Sequence, residues 1–173
     1  MRLYPGKVPA IAKDIVDSLA QNGDIEVQPE LASEVILDIE SVLREYIRAD
    51  REVTDRARDM ISRDGLEFSQ VNKIKTKLAE DRGFGTGERA AEYLIRQMTE
   101  ALFHSRNVDE VFAEDHTLRK SMRDVLNRHV GVDDDLDQEV RKRIKNLQEG
   151  TSTWEVEYAK VMGDLKRLKG LDA

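Results

Sequence analysis

Four acids at alternate positions, Asp133, Asp135, Asp137 and Glu139, come closest to a cation site in this chain. A calcium loop needs a turning glycine at its sixth position and a bidentate acid at its twelfth. Counted from Asp133, those positions hold Gln138 and Ile144, so the acids read as the capped first turn of a helix. His104, His116 and His129 follow one another at intervals of 12 and 13 residues, without the i, i+4 pairing that puts two imidazoles on one helix face. With no cysteine in the chain there is no thiol nucleophile, disulfide framework or thiolate-bound metal. Glu114-Asp115-His116 brings acids beside a base, but no Gly-x-Ser-x-Gly elbow supplies a nucleophile. An enzyme would have to gather these three with distant polar groups in one concavity. We therefore expect no catalytic residue and no metal site.

Gly83-Phe84-Gly85-Thr86-Gly87 could bring backbone amides to a phosphate. The dinucleotide spacing counted from Gly83 puts Glu88 where the third glycine belongs. Counted from Gly85 it reaches Ala90, a permitted ending, yet no strand is predicted ahead of it, and a P-loop lysine is missing. The run reads as a connector whose Thr86 caps the following helix, and no cofactor is expected.

Two further groups point to surfaces. Arg141, Lys142, Arg143 and Lys145, with Lys160, Lys166, Arg167 and Lys169, form the best phosphate-contacting patch, although Glu139, Glu149, Glu155, Glu157 and Asp164 share the same helices and compete for it. The only tryptophan stands in Glu149-Gly150-Thr151-Ser152-Thr153-Trp154-Glu155-Val156-Glu157-Tyr158. Ser152 with Glu155 makes a capping box, and Trp154, Tyr158, Val161, Met162 and Leu165 then share one helical face. Trp154 and Tyr158 are predicted to pack, or to dock a partner where exposed. Trp154, Tyr158, Arg141, Arg143 and Lys145 are the candidate partner-binding residues.

The elements that would carry these residues are helices. Charged residues make up 36% of the 173-residue chain and aromatic residues 5%, and all three prolines (Pro5, Pro9, Pro29) precede residue 30. An all-α fold follows, with one or two very short extended segments. Apolar stripes run through Ile11, Ile15, Val16 and Leu19 up to Asn22-Gly23, and through Leu31, Val35, Ile39, Val42, Leu43, Tyr46 and Ile47, resuming at Val53, Ala57, Met60 and Ile61 before Asp64-Gly65. Pro29 is expected to open the second helix. Residues 30–63 could form one helix or two. Asp24-Ile25-Glu26-Val27 and Val108 to Phe112 could be extended. A shorter helix near Ser69 to Asp81 directs Val71, Ile74 and Leu78 inward.

A shift of 83 residues superimposes these stripes without a gap: Ile11 on Leu94, Ile15 on Met98, Leu19 on Leu102, Val35 on Leu118, Ile39 on Met122, Leu43 on Leu126, Ala57 on Val140 and Ile61 on Ile144. Keeping phase across two loops favours an internal duplication. The expected organisation is an N-terminal helical unit over residues 1–82, a Gly-rich connector over 83–87 and a C-terminal unit over 88–173, packed as one body with Val42, Leu43, Val125 and Leu126 central. Both parts carry mixed charge, 13 basic and 17 acidic residues up to Thr86 and 15 and 18 after it, in a total of -7. That balance argues against bulk attraction to nucleic acid or anionic lipid. No stretch approaches the roughly 18 apolar residues of a membrane span, and the start lacks a secretory signal. A cytoplasmic location is expected.

Met1-Arg2-Leu3 with Val8-Pro9-x-Ile11-Ala12-x-Asp14-Ile15-Val16, then Asp24-Ile25-Glu26-Val27, and above all Asn107-Val108-Asp109-Glu110-Val111-Phe112-Ala113-Glu114-Asp115-His116 resemble a bacterial family known as domain of unknown function family 507. The ending, with Glu149-Gly150-Thr151, Trp154-Glu155-Val156 and Tyr158, resembles the close of shorter, single-unit members. The resemblance implies a small, mostly helical cytoplasmic bacterial protein and carries no activity, substrate or cofactor. From the residues themselves, the leading expectation is a non-enzymatic interaction or scaffold protein that binds an unidentified protein partner or forms a homo-oligomer. The alternative is an RNA- or ribosome-associated protein that uses the basic residues.

Overall fold

The computed structural model describes residues 3–130, 132–147 and 152–171. Helix α1 (Val8–Gln21) carries Pro9 in its first turn, where a missing N–H costs nothing, and buries Val8, Ile11, Ala12, Ile15, Val16 and Leu19. It stops as expected: Gly23 takes φ +73°, and the Asp24 amide folds back onto the Leu19 carbonyl at 2.8 Å. Pro29 does not open the next helix. A turn closed by the Leu31 amide on the Gln28 carbonyl comes first, and α2 (Ala32–Asp64) starts behind it. With neither Gly nor Pro across its 33 residues, α2 is a single helix about 50 Å long, ended by Gly65 at φ +64°. Then come α3 (Val71–Glu80), led in by a short 3-10 turn over Phe68–Gln70, α4 (Ala90–His104), α5 (Asp115–Val130), α6 (Val132–Arg143) and α7 (Ser152–Leu168). Two-residue strands β1 (Ile25–Glu26) and β2 (Glu110–Val111) pair antiparallel, Ile25 opposite Val111 and Glu26 opposite Glu110. The protein is all-α apart from this ribbon.

Two apolar clusters result. In the larger, α1 packs on α2 and α5, α2 on α4, and α4 on α5, so residues from both sides of the glycine run enclose one another. Ile11, Ile15, Leu19, Ile39, Leu43, Leu94, Met98, Leu102, Leu118, Met122 and Leu126 are essentially inaccessible. Val125 is buried beside them, while Val42 lies half-buried at the margin. On α3, Val71 and Ala79 turn inward against α2, whereas Ile74 and Leu78 are only half-buried. The smaller cluster joins Leu136 and Val140 of α6, and Ile144 just past its end, to Leu165 of α7, Leu171 and Tyr4. There the start of the chain lies against its end: the Gly6 amide donates to the Leu171 carbonyl at 3.2 Å.

Polar groups at the ribbon tie the two halves together reciprocally. Ser121 Oγ on α5 donates to Asp24 at 3.1 Å, and Asn22 Nδ2 donates to the same carboxylate at 3.5 Å. Across the ribbon, Asp38 on α2 accepts from Ser105 Oγ at 2.6 Å and from Asn107 Nδ2 at 3.3 Å. Asp24 is buried, and these donors meet the cost of enclosing its carboxylate.

Candidate functional site

Trp154 and Tyr158 sit one turn apart on α7 and stack, with ring centroids 4.8 Å apart and planes 25° from parallel. Leu165 on the same helix is buried, and Val161 and Met162 are half-buried against the smaller cluster, which leaves the two aromatic rings at its rim. Across from them, Arg141 on α6 holds its guanidinium 5.5 Å from the indole centroid. Its Nε donates to Asp137 Oδ2 at 2.7 Å, and the Tyr158 hydroxyl donates to Asp137 Oδ1 at 2.6 Å. Asp137 therefore joins the two helices through one carboxylate. The Tyr158 hydroxyl, and after it the Arg141 guanidinium, hold that carboxyl below the usual carboxylate range. Two residues further on, Glu139 accepts from Arg143 at 2.7 Å and lies 3.1 Å from Lys169 Nζ, with Lys169 first and Arg143 second lowering its pKa.

Trp154, Tyr158 and Arg141 thus meet in one array, and Arg143 lies a half-turn along α6 in its own ion pair. Lys145 is exposed beyond the end of α6, outside the array. The array presents two aromatic faces and a guanidinium at a helix-helix seam. Trp, Tyr and Arg are enriched among the residues that dominate binding energy at protein interfaces, the two aromatic ones because they bury large areas with only two side-chain torsions. Sequence spacing gave no sign of Asp137 as the connecting residue, since its partner Tyr158 lies 21 positions away.

The remaining chemistry-bearing residues are dispersed. Asp137 and Glu139 of the alternating acids each face an arginine on their own helix, Asp135 is exposed, and the side chain of Asp133 lies outside the described residues. His104 Nδ1 contacts the Glu100 carbonyl at 2.8 Å, while His116 and Glu114 are exposed neighbours. His129 Nε2 lies 2.8 Å from Asp14 on α1. Among the described residues, no three His, Asp or Glu side chains are placed to hold a metal ion. Glu114, Asp115 and His116 stand in solvent at the start of α5 rather than around a concavity.

The glycine run links α3 to α4. Gly83 and Gly87 adopt positive φ, and a Cβ on Gly85 would fall 2.5 Å from that of Tyr93. The Thr86 side chain does not cap the next element. The Arg89 amide bonds the Thr86 carbonyl instead, because a 3-10 turn over Gly87–Arg89 precedes α4. The side chains of the capping pair Ser152 and Glu155, and residues Gly131, Gly150 and Thr151, lie outside the described residues.

Fold and site together define a helical protein with a paired-aromatic surface and no assembled catalytic centre among the described residues. The family described as protein of unknown function (DUF507) matches residues 1–171, and the chain belongs to it. No curated protein matches the chain. No helix among the described residues is long and apolar enough to cross a membrane.

Proposed function

We propose that the protein is a non-enzymatic, cytoplasmic interaction module that docks a protein partner through the α6–α7 face bearing Trp154, Tyr158 and Arg141. The observation that carries this reading is the stacked aromatic pair with a guanidinium alongside, fixed by Asp137. Side chains already held in place lose little freedom on binding, so more of their buried area appears as affinity. Val156, two-thirds exposed on α7, extends the apolar surface. Protein is preferred over RNA because Arg141 and Arg143 already face Asp137 and Glu139, carboxylates that phosphate would have to displace.

The scaffold behind this face is two halves of common origin. The series helix, strand, long helical segment, helix occurs twice, α6 following α5 where α2 is continuous. The polar contacts repeat as well. Positions 24 and 107 are 83 apart, as are 38 and 121, so Asp24–Ser121 and Asn107–Asp38 are one contact made twice with the halves exchanged. Shared descent accounts for that reciprocity.

Affinity capture from native extract, with and without nuclease and with Trp154→Ala and Arg141→Ala beside the unaltered chain, tests the function. The expected result is a protein, another chain or a second copy of this one, retained after nuclease and lost from both variants. Capture abolished by nuclease, or unchanged in the variants, overturns it.

A further inference from the structure

A cleft of about 440 Å³ opens where the glycine connector meets α4 and α5, remote in sequence from the aromatic array. Arg89, Arg96 and Arg119 reach it from three elements, against the two carboxylates Glu80 and Glu92. Its lining is therefore net positive by one charge in a chain of net -7. Glu92 holds both Arg119, at 3.0 Å, and Arg123, at 2.5 Å, while Asp115 holds Arg119 from its other side at 2.6 Å. Arg119 is thus fixed in orientation, and Arg89 is anchored on Glu80. Arg96 differs: its guanidinium rests 5.5 Å from the Tyr93 ring centroid, and it makes no ion pair among the described residues. Phe84 and Tyr93 form the aromatic wall of the cleft, with centroids 5.1 Å apart, and Tyr46, buried behind them, steadies the connector through its hydroxyl on the Gly85 carbonyl at 3.3 Å. Gly85 lets the connector close on Tyr93, since a Cβ there has no room.

We propose that this cleft binds a small organic phosphate of mononucleotide size. Planar guanidiniums match phosphate oxygens two at a time, and Arg96 carries N–H donors that no carboxylate engages. A phosphate also offers these guanidiniums three strong acceptor oxygens, where a carboxylate offers two. The volume exceeds what a bare phosphate fills, and the aromatic wall offers a surface for the rest of the ligand. The phosphate is held by side chains, and the glycine amides take no part.

Calorimetric titration of the full chain at low ionic strength with AMP, ribose 5-phosphate, inorganic phosphate and adenosine tests the site. Saturable binding of AMP and ribose 5-phosphate is expected, with inorganic phosphate weaker and adenosine silent. Arg96→Gln and Arg89→Gln should each weaken AMP by about tenfold, and Arg96→Lys by less, because one bidentate charged contact is lost. Arg96 is exposed and makes no ion pair among the described residues, so its variants should keep the parent melting temperature. Equal binding of adenosine, an unchanged affinity in Arg96→Gln, or no saturable binding by any probe overturns the proposal.

Discussion

Asp137 shows how one residue can hold a surface together. Tyr158 and Arg141 keep its carboxyl below the ordinary range, so its contribution to folding is complete above the unfolded carboxylate pKa of about 4 and is lost as pH falls through the lower folded value. Glu139 acts in the same direction through Lys169 and Arg143. Replacing Tyr158 by Phe removes the largest cause of the shift and brings the folded pKa towards the unfolded one. The drop in melting temperature between pH 7 and pH 3 should then be smaller in Tyr158→Phe than in the parent, followed through the emission of the single tryptophan beside it. Identical pH profiles would show that the hydroxyl does not hold this carboxylate. Several other ion pairs lie on exposed helix faces three or four residues apart, as with Arg48 and Glu45 or Arg167 and Asp164, where solvent leaves little net gain.

Two glycines separate packing from propensity at the scale of elements. A Cβ on Gly6 would fall 1.9 Å from the Gly170 carbonyl oxygen, a backbone atom that cannot step aside, whereas a Cβ on Gly163 in α7 meets nothing within 4 Å. Gly6→Ala should part residues 4–6 from Gly170 and Leu171, pull Tyr4 from the smaller cluster and lower the melting temperature. Gly163→Ala should instead raise stability by about 0.5–1 kcal/mol through reduced backbone freedom in the unfolded chain. Equal effects of the two on thermal unfolding would contradict the contact between the chain ends. The elements themselves were legible in the sequence wherever an apolar stripe met a glycine: Leu19 before Asn22-Gly23, Ile61 before Gly65. Pro29 does not mark the start of α2 because it serves a turn, and the pattern leaves residues 30–63 open between one helix and two because Asp50, Arg51 and Glu52 break the stripe but not the helix. Trp154 and Tyr158 could be placed on one face by spacing alone. Their link to Asp137, and the convergence of Arg89, Arg96 and Arg119, depend on how distant helices meet, which no local pattern encodes.

At the scale of the molecule, the larger cluster is a joint product of both halves, because α5 covers α1 and α4 covers α2. Leu126 is 1% exposed in that shared interior, so Leu126→Asp would place a carboxylate where no donor awaits it. A cost of about 4 kcal/mol or more is expected, a large part of the stability of an ordinary domain. The variant should melt far below the parent or fail to fold, as read by circular dichroism and light scattering, and an unchanged melting curve and mass would contradict the shared core. The smaller cluster lies apart from this interior, which allows α6 and α7 to present their outer face while the rest of the chain stays closed.

The most direct test of that face is site-specific photo-cross-linking in living cells from Val156, which is 66% exposed on α7. One discrete protein adduct is predicted that survives nuclease, disappears when Arg141 is replaced by Ala, and does not form from a probe at the exposed Leu37 on α2. Adducts to RNA alone, or the same protein adduct from both positions, would contradict docking through Trp154, Tyr158 and Arg141.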